Sequence, residues 1–165
     1  MIIREIKSAW EFFRREGLKT TLLSRETPFL IQFGKYGLCG VLSVVVLLAV
    51  VWLGRSIFPG SFAETLPEAS RANNNTILQL VAFIPSNITA YLLNRWLVFT
   101  PGKHCVSREF WLFTVISFIS FSLGQVLPQW LVRDFGVANG VADLSFVISA
   151  ALVNFTCRKI FVFEK

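Results

Sequence analysis

Four long apolar runs divide the chain, and charge marks most of their borders. The first covers residues 29–53 and carries no charge between Lys35 and Arg55. The others cover 76–99, 110–132 and 138–162. About 20 apolar residues cross a bilayer as a helix, so each run predicts a membrane span. Residues 1–27 follow a different pattern. Ile3, Ile6, Trp10 and Phe13 recur at helical spacing, with Arg4, Lys7, Glu11 and Arg14 turned away. This predicts an amphipathic helix lying on the membrane surface, broken near Gly17. The first apolar run comes late, is long and lacks a small-residue cleavage site, so it reads as a span and not a signal peptide.

Polar positions inside the runs add detail. Gly34, Gly37 and Gly40 repeat every third residue, which predicts close approach of another helix. Pro85 predicts a kink in the second span and frees a backbone carbonyl one turn earlier. Asn87, Tyr91 and Asn94 then form a polar line that is costly against lipid and is expected to face the bundle. The third span has a small, polar stripe at Ser117, Ser120 and Gly124; the fourth contains Asp143, Ser145 and Ser149. Residues 55–75 read as a polar connection whose two arginines are balanced by Glu64 and Glu68. Residues 100–109 read as a turn.

Composition agrees with the pattern. The 165 residues suffice for one domain. The chain is 54% hydrophobic and 16% charged, with a mean hydropathy of +0.60. Soluble domains run nearer a quarter charged, so most of this surface meets lipid and a soluble enzyme is excluded. The 17 Phe and 5 Trp suit aromatic belts at membrane interfaces. The net charge of +6 is spread around the apolar runs, which favours anionic lipid over nucleic acid. Cys39, Cys105 and Cys157 give no disulfide framework and no metal-ligand spacing. His104, in a polar loop, reads as an exposed bystander.

Lys and Arg are in excess in the N-terminal segment, the 100–109 turn and the C-terminus. The positive-inside rule therefore places both termini and the middle turn in the cytoplasm. The expected fold is an all-α membrane protein: an interfacial segment, 1–27, then a four-helix transmembrane domain, 28–165. That domain is two tandem helix pairs, 28–99 and 109–163, related as a parallel repeat. The repeat shows best at its ends. NITAYLLNRWLVF (87–99) and NFTCRKIFVF (154–163) align with Phe99 on Phe163, Val98 on Val162, Arg95 on Lys159 and Tyr91 on Phe155.

On these residues the chain resembles the GtrA-like family of small four-helix membrane proteins, from about residue 28 to the C-terminus. The resemblance rests on Phe33 and Gly37 in the first span, LLNRWLVF, and NFTCRKIFVF. It implies a flippase in the inner (cytoplasmic) membrane. Such a protein carries a polyprenyl-phosphate-linked monosaccharide, such as undecaprenyl-phosphate-sugar, to the outer leaflet for cell-surface polysaccharide glycosylation. The chain departs from the family pattern in two places. Arg158-Lys159 stands where the family has Asn-Arg, and Ala90 where it has Asn, with Asn87 one turn away.

The residues suit such a ligand. Its tail stays in lipid, but each unpaired sugar hydroxyl costs roughly 2–7 kcal/mol in an apolar medium. Arg95 and Lys159, with Arg158 and Lys35, are the candidate phosphate ligands; a guanidinium forks onto two phosphate oxygens. Asn87, Asn94, Asn154, Ser117 and Ser120 are the candidate polar lane for the sugar. Arg158 and Lys35 also fit a topological role, snorkelling to head groups. The serines also fit helix packing, and Trp96, Phe99, Phe161 and Phe163 read as interfacial anchors. Asp143 is either a proton-coupling carboxylate or one favoured by its helix N-terminus.

No paired carboxylates, metal cluster or nucleophile–base arrangement marks an enzyme, and no cofactor is expected. One competing reading is a non-transporting partner or scaffold for a membrane glycosyltransferase. Another is a small proton-coupled exporter, whose cationic substrate Arg95, Lys159 and Lys35 would repel. Four helices enclose little volume for a sugar, so the groove opens to lipid or two copies form a homodimer.

Overall fold

A computed structural model describes residues 2–102, 104–136 and 138–163, with side chains outside what is described at 2–3, 124–126, 128–129, 139–144 and 146. Among the described residues the regular elements are all helical. They are α1 (Ile2–Leu23), α2 (Phe29–Ile57), a 3₁₀ turn (Pro59–Phe62), α3 (Glu68–Leu93), α4 (Val106–Phe135) and α5 (Asn139–Cys157). Both α3 and α5 run directly into π-helical turns, Asn94–Val98 and Arg158–Val162. Three stretches are long and apolar enough to cross a membrane: Phe29–Ile57, Glu68–Val98 and Val106–Leu123. Their outer faces are bare hydrocarbon, with Val41, Leu48 and Trp52 all more than half exposed. Lipid covers such a surface, because the helices satisfy their own backbone groups.

Helix borders differ from the sequence expectation where polar side chains find local partners. α3 begins at Glu68, not near residue 76. Pro67 stands just before it, at a position with no side-chain cap, and the Glu68 carboxylate suits the positive end of the helix. The asparagine run is therefore helical: Asn74 Nδ2 donates to Ser61 O at 2.8 Å, and Asn75 Oδ1 accepts from Arg55 Nη2 at 2.9 Å. α3 also continues through Pro85. α4 begins at Val106, which puts Glu109 in its first turn.

The chain forms two compact units. Gly37–Asn94 holds α2 from Gly37 onward, the 3₁₀ turn and α3. Its close approach is at Gly54, where an added Cβ would lie 2.5 Å from Leu78 Cδ1. The glycine stripe expected to serve that purpose does not: a Cβ at Gly34, Gly37 or Gly40 meets nothing within 4 Å. Buried Ser86 Oγ donates to Ser43 O at 2.8 Å and ties the two helices together.

The other unit joins Met1–Tyr36 to Arg95–Lys165. Its core is aromatic. Phe155, 1% exposed, has ring centroids of Phe29, Phe33, Tyr36 and Phe99 within 5.4–5.5 Å. Phe99 stacks on Phe163 at 4.9 Å, so the two residues matched by the repeat pack against each other. Both were expected as interfacial anchors; both are buried instead, while Trp96 and Phe161 stay exposed. In α1 the helix is interrupted at Gly17, φ 75° and ψ 170°, a conformation nearly confined to glycine. Thr21 Oγ1 donates to Gly17 O at 2.7 Å. Gly17→Ala meets no atom but strains this backbone by about 1–3 kcal/mol. Amides of residues 18–23 should then exchange faster with solvent; unchanged exchange would show that the interruption is not required.

Candidate functional site

The two π turns build the site. A π turn holds more residues than an α turn, so the chain beyond it is rotated from a continued α path. At the second end Phe163 N–H bonds Arg158 O at 3.0 Å, five residues back. Val98, Phe99, Val162 and Phe163 all turn inward, each at most 5% exposed. The wide turn also frees carbonyls that need donors. Asn94, itself 1% exposed, adds a second donor where the turn starts: its Nδ2 donates to Ala90 O at 2.7 Å, which its own backbone N–H also reaches. Arg25 Nε donates to Trp96 O at 3.0 Å, and Gln32 Nε2 donates to Val98 O at 3.0 Å.

Gln32 links the matched ends. Its Oε1 accepts from Lys159 Nζ at 3.0 Å while its amide holds Val98. Around this link lies a cavity of about 510 Å³. Its polar wall is Gln32, Thr100, Thr156 and Lys159; its apolar wall includes Phe29 and Phe155. No carboxylate among the described residues pairs with Lys159 or Arg158.

Arg158 sits one residue before Lys159 and is 7% exposed. Nη1 donates to Tyr36 Oη at 3.2 Å and Nη2 to Ser117 Oγ at 2.8 Å. The guanidinium carbon lies 3.8 Å from the centre of the Phe113 ring, a cation–π contact. Arg158 Nε is buried without a hydrogen-bond partner. One turn earlier on α5, Asn154 Oδ1 accepts from Ser120 Oγ at 2.5 Å. Arg158, Ser117, Asn154 and Ser120 therefore form one polar seam where α4 packs on α5.

Arg95 lies elsewhere. Its Nη1 pairs with Glu109 Oε2, and Gly102 N–H donates to Glu109 Oε1 at 3.0 Å. Glu109 is fully buried, and Arg95 does not line the cavity. The matched cations Arg95 and Lys159 thus have different surroundings: one has a carboxylate, the other a neutral amide. Lys35 is 5% exposed and donates from Nζ to Ser24 O at 2.5 Å. Asn87 and Asn94 are buried in the α2–α3 unit. The side chain of Asp143 lies outside the described residues.

Sequence reasoning passed over Gln32, Glu109, Tyr36 and Phe113. A weak signal existed for Gln32: it is an amide three residues before Lys35 at the head of an apolar run. Glu109 looked like an ordinary charge at the end of a turn, and nothing local paired it with Arg95.

Long apolar helices exposed along their length make this a multi-pass membrane protein, with a cationic, aromatic-walled cavity at one helix end. The family described as GtrA/DPMS, transmembrane domain, matches residues 35–163, and the chain belongs to it. No curated protein and no solved structure matches the chain.

Proposed function

We propose that the protein binds a polyprenyl-phosphate-linked monosaccharide and carries its head group across the membrane, without chemical change. The observation that supports this reading most is the uncompensated pair Arg158–Lys159 beside the 510 Å³ cavity. Arg158 is the desolvated member of the pair; a buried guanidinium without a counterion is costly, and a phosphate anion held by the neighbouring exposed Lys159 relieves that cost. Lys159 provides the exposed contact, with Gln32, Thr100 and Thr156 as hydrogen-bonding neighbours. Arg158 adds positive field from behind, and the polyprenyl tail stays in lipid. The seam of Ser117, Ser120 and Asn154 continues along α4 and α5 as the lane for sugar hydroxyls. Arg95 orders the turn around Glu109, so its charge is less available to a ligand.

In this reading α5 with its π turn is a fourth span, and the two helix pairs are tandem repeats. The coincidence of π turns at the matched ends supports the repeat. Both termini lie in the cytoplasm, α1 lies on the inner surface, and the host membrane is the cytoplasmic one. The test is transport of a labelled undecaprenyl-phosphate-sugar in proteoliposomes holding only this protein. Labelled head groups should reach the opposite leaflet faster than in protein-free vesicles. Equal rates would overturn transport and leave a binding partner of a glycosyltransferase.

A further inference from the structure

The α2–α3 unit holds a second charged cavity that the proposed site does not use. Arg55, in the last turn of α2, and Arg71, near the start of α3, line about 380 Å³ together with Phe62, Glu68 and Asn75. The charge count of the connection pairs these arginines with Glu64 and Glu68. Among the described residues neither arginine is in an ion pair. Arg55 donates to Asn75 and its guanidinium carbon lies 5.7 Å from the centre of the Phe62 ring. Arg71 Nε is shielded from solvent and has no hydrogen-bond partner. Two guanidiniums facing one carboxylate leave the cavity with positive charge in excess.

An apolar groove of about 410 Å³ adjoins it and shares Phe62 as a wall. Leu53, Ile57, Phe58, Ile77 and Val81 line this groove, and each is more than half exposed. A cationic cavity and an apolar groove joined through one ring match an amphiphile with an anionic end. Free phosphate would leave the groove empty, and a neutral lipid would leave the guanidiniums unanswered. Arginine forks fit phosphate oxygens in pairs.

We infer that this end of the α2–α3 unit is a second site for a polyprenyl phosphate, with its phosphate on Arg55 and Arg71 and its first isoprene units in the groove. The assignment rests on the proposed function. With cytoplasmic termini, the link between α2 and α3 lies at the outer surface, so this site receives the lipid after its head group has crossed.

Native mass spectrometry of the full chain, titrated with undecaprenyl phosphate, tests it. The wild type should bind two equivalents. Arg55→Gln/Arg71→Gln should bind one, retaining the equivalent that depends on Lys159. Two equivalents on the double variant would overturn this inference. Two equivalents on Lys159→Gln would instead overturn the first site and leave this one standing. Undecaprenol binding the second site as well as the phosphate does, or inorganic phosphate displacing the lipid from it, would also overturn the assignment. Should the double variant fail to fold, a diazirine-bearing undecaprenyl phosphate reads the same site on wild type. Label should map to residues 53–58 and 77–81; its absence there would overturn the proposal.

Discussion

Arg95→Ala is expected to destabilise the protein by about 3–5 kcal/mol, the cost of removing one partner from a buried ion pair. The group that loses its guanidinium is Glu109, which is fully buried and keeps the Gly102 N–H as a donor. The reverse change, Glu109→Ala, should cost less. The Arg95 side chain is already 21% exposed, and a freed guanidinium reaches head groups by snorkelling. The double variant Arg95→Ala/Glu109→Ala should be more stable than Arg95→Ala alone, because the buried carboxylate is removed together with its guanidinium partner. Thermal unfolding in detergent checks all three. Wild-type stability in Arg95→Ala would remove the pair from the account. The order of effects also governs binding experiments: lost binding in Arg95→Ala alone reports folding, whereas the double variant reports ligand contact.

Lys159→Ala should weaken binding of a polyprenyl phosphate by about 10- to 150-fold, from the 1.5–3 kcal/mol of a charge-assisted hydrogen bond. Lys159 is exposed, so solvent and salt screen the contact and the lower end of that range applies. Lys159→Arg should keep most of the affinity, and Lys159→Gln should not. Stability should change little, since Lys159 contributes one hydrogen bond to Gln32. Titration at low and moderate salt checks the claim. Equal affinity in wild type and Lys159→Ala would move the phosphate away from this cavity.

Much of the fold was legible in the chain, because lipid imposes a simple rule. A span must be apolar, about 20 residues long and internally hydrogen-bonded, and these demands are written residue by residue. The break at Gly17 was also legible, because that backbone conformation belongs to one residue type. The start of α3 was not. Asn73, Asn74 and Asn75 favour turns by local preference, but partners on the 3₁₀ turn and α2 hold Asn74 and Asn75 inside a helix.

For the candidate site the division is sharper. Sequence comparison of the two ends aligned Phe99 with Phe163 and Arg95 with Lys159, and the π turns begin at the aligned positions Asn94 and Arg158. The polar positions of the third and fourth spans also marked Ser117, Ser120 and Asn154 as candidates for a polar lane. Equal motifs did not mean equal surroundings. Arg95 is answered by a carboxylate one connection away, Lys159 by an amide from the first span, and Arg158 by a phenol, a hydroxyl and an aromatic face. The sequence by itself determined that this is a helical membrane protein with two matched basic helix ends. Only the tertiary structure decided which of those cations is neutralised and which stands at a cavity. Burial and charge pairing depend on side chains that meet across long sequence separations, and no local pattern encodes which will meet.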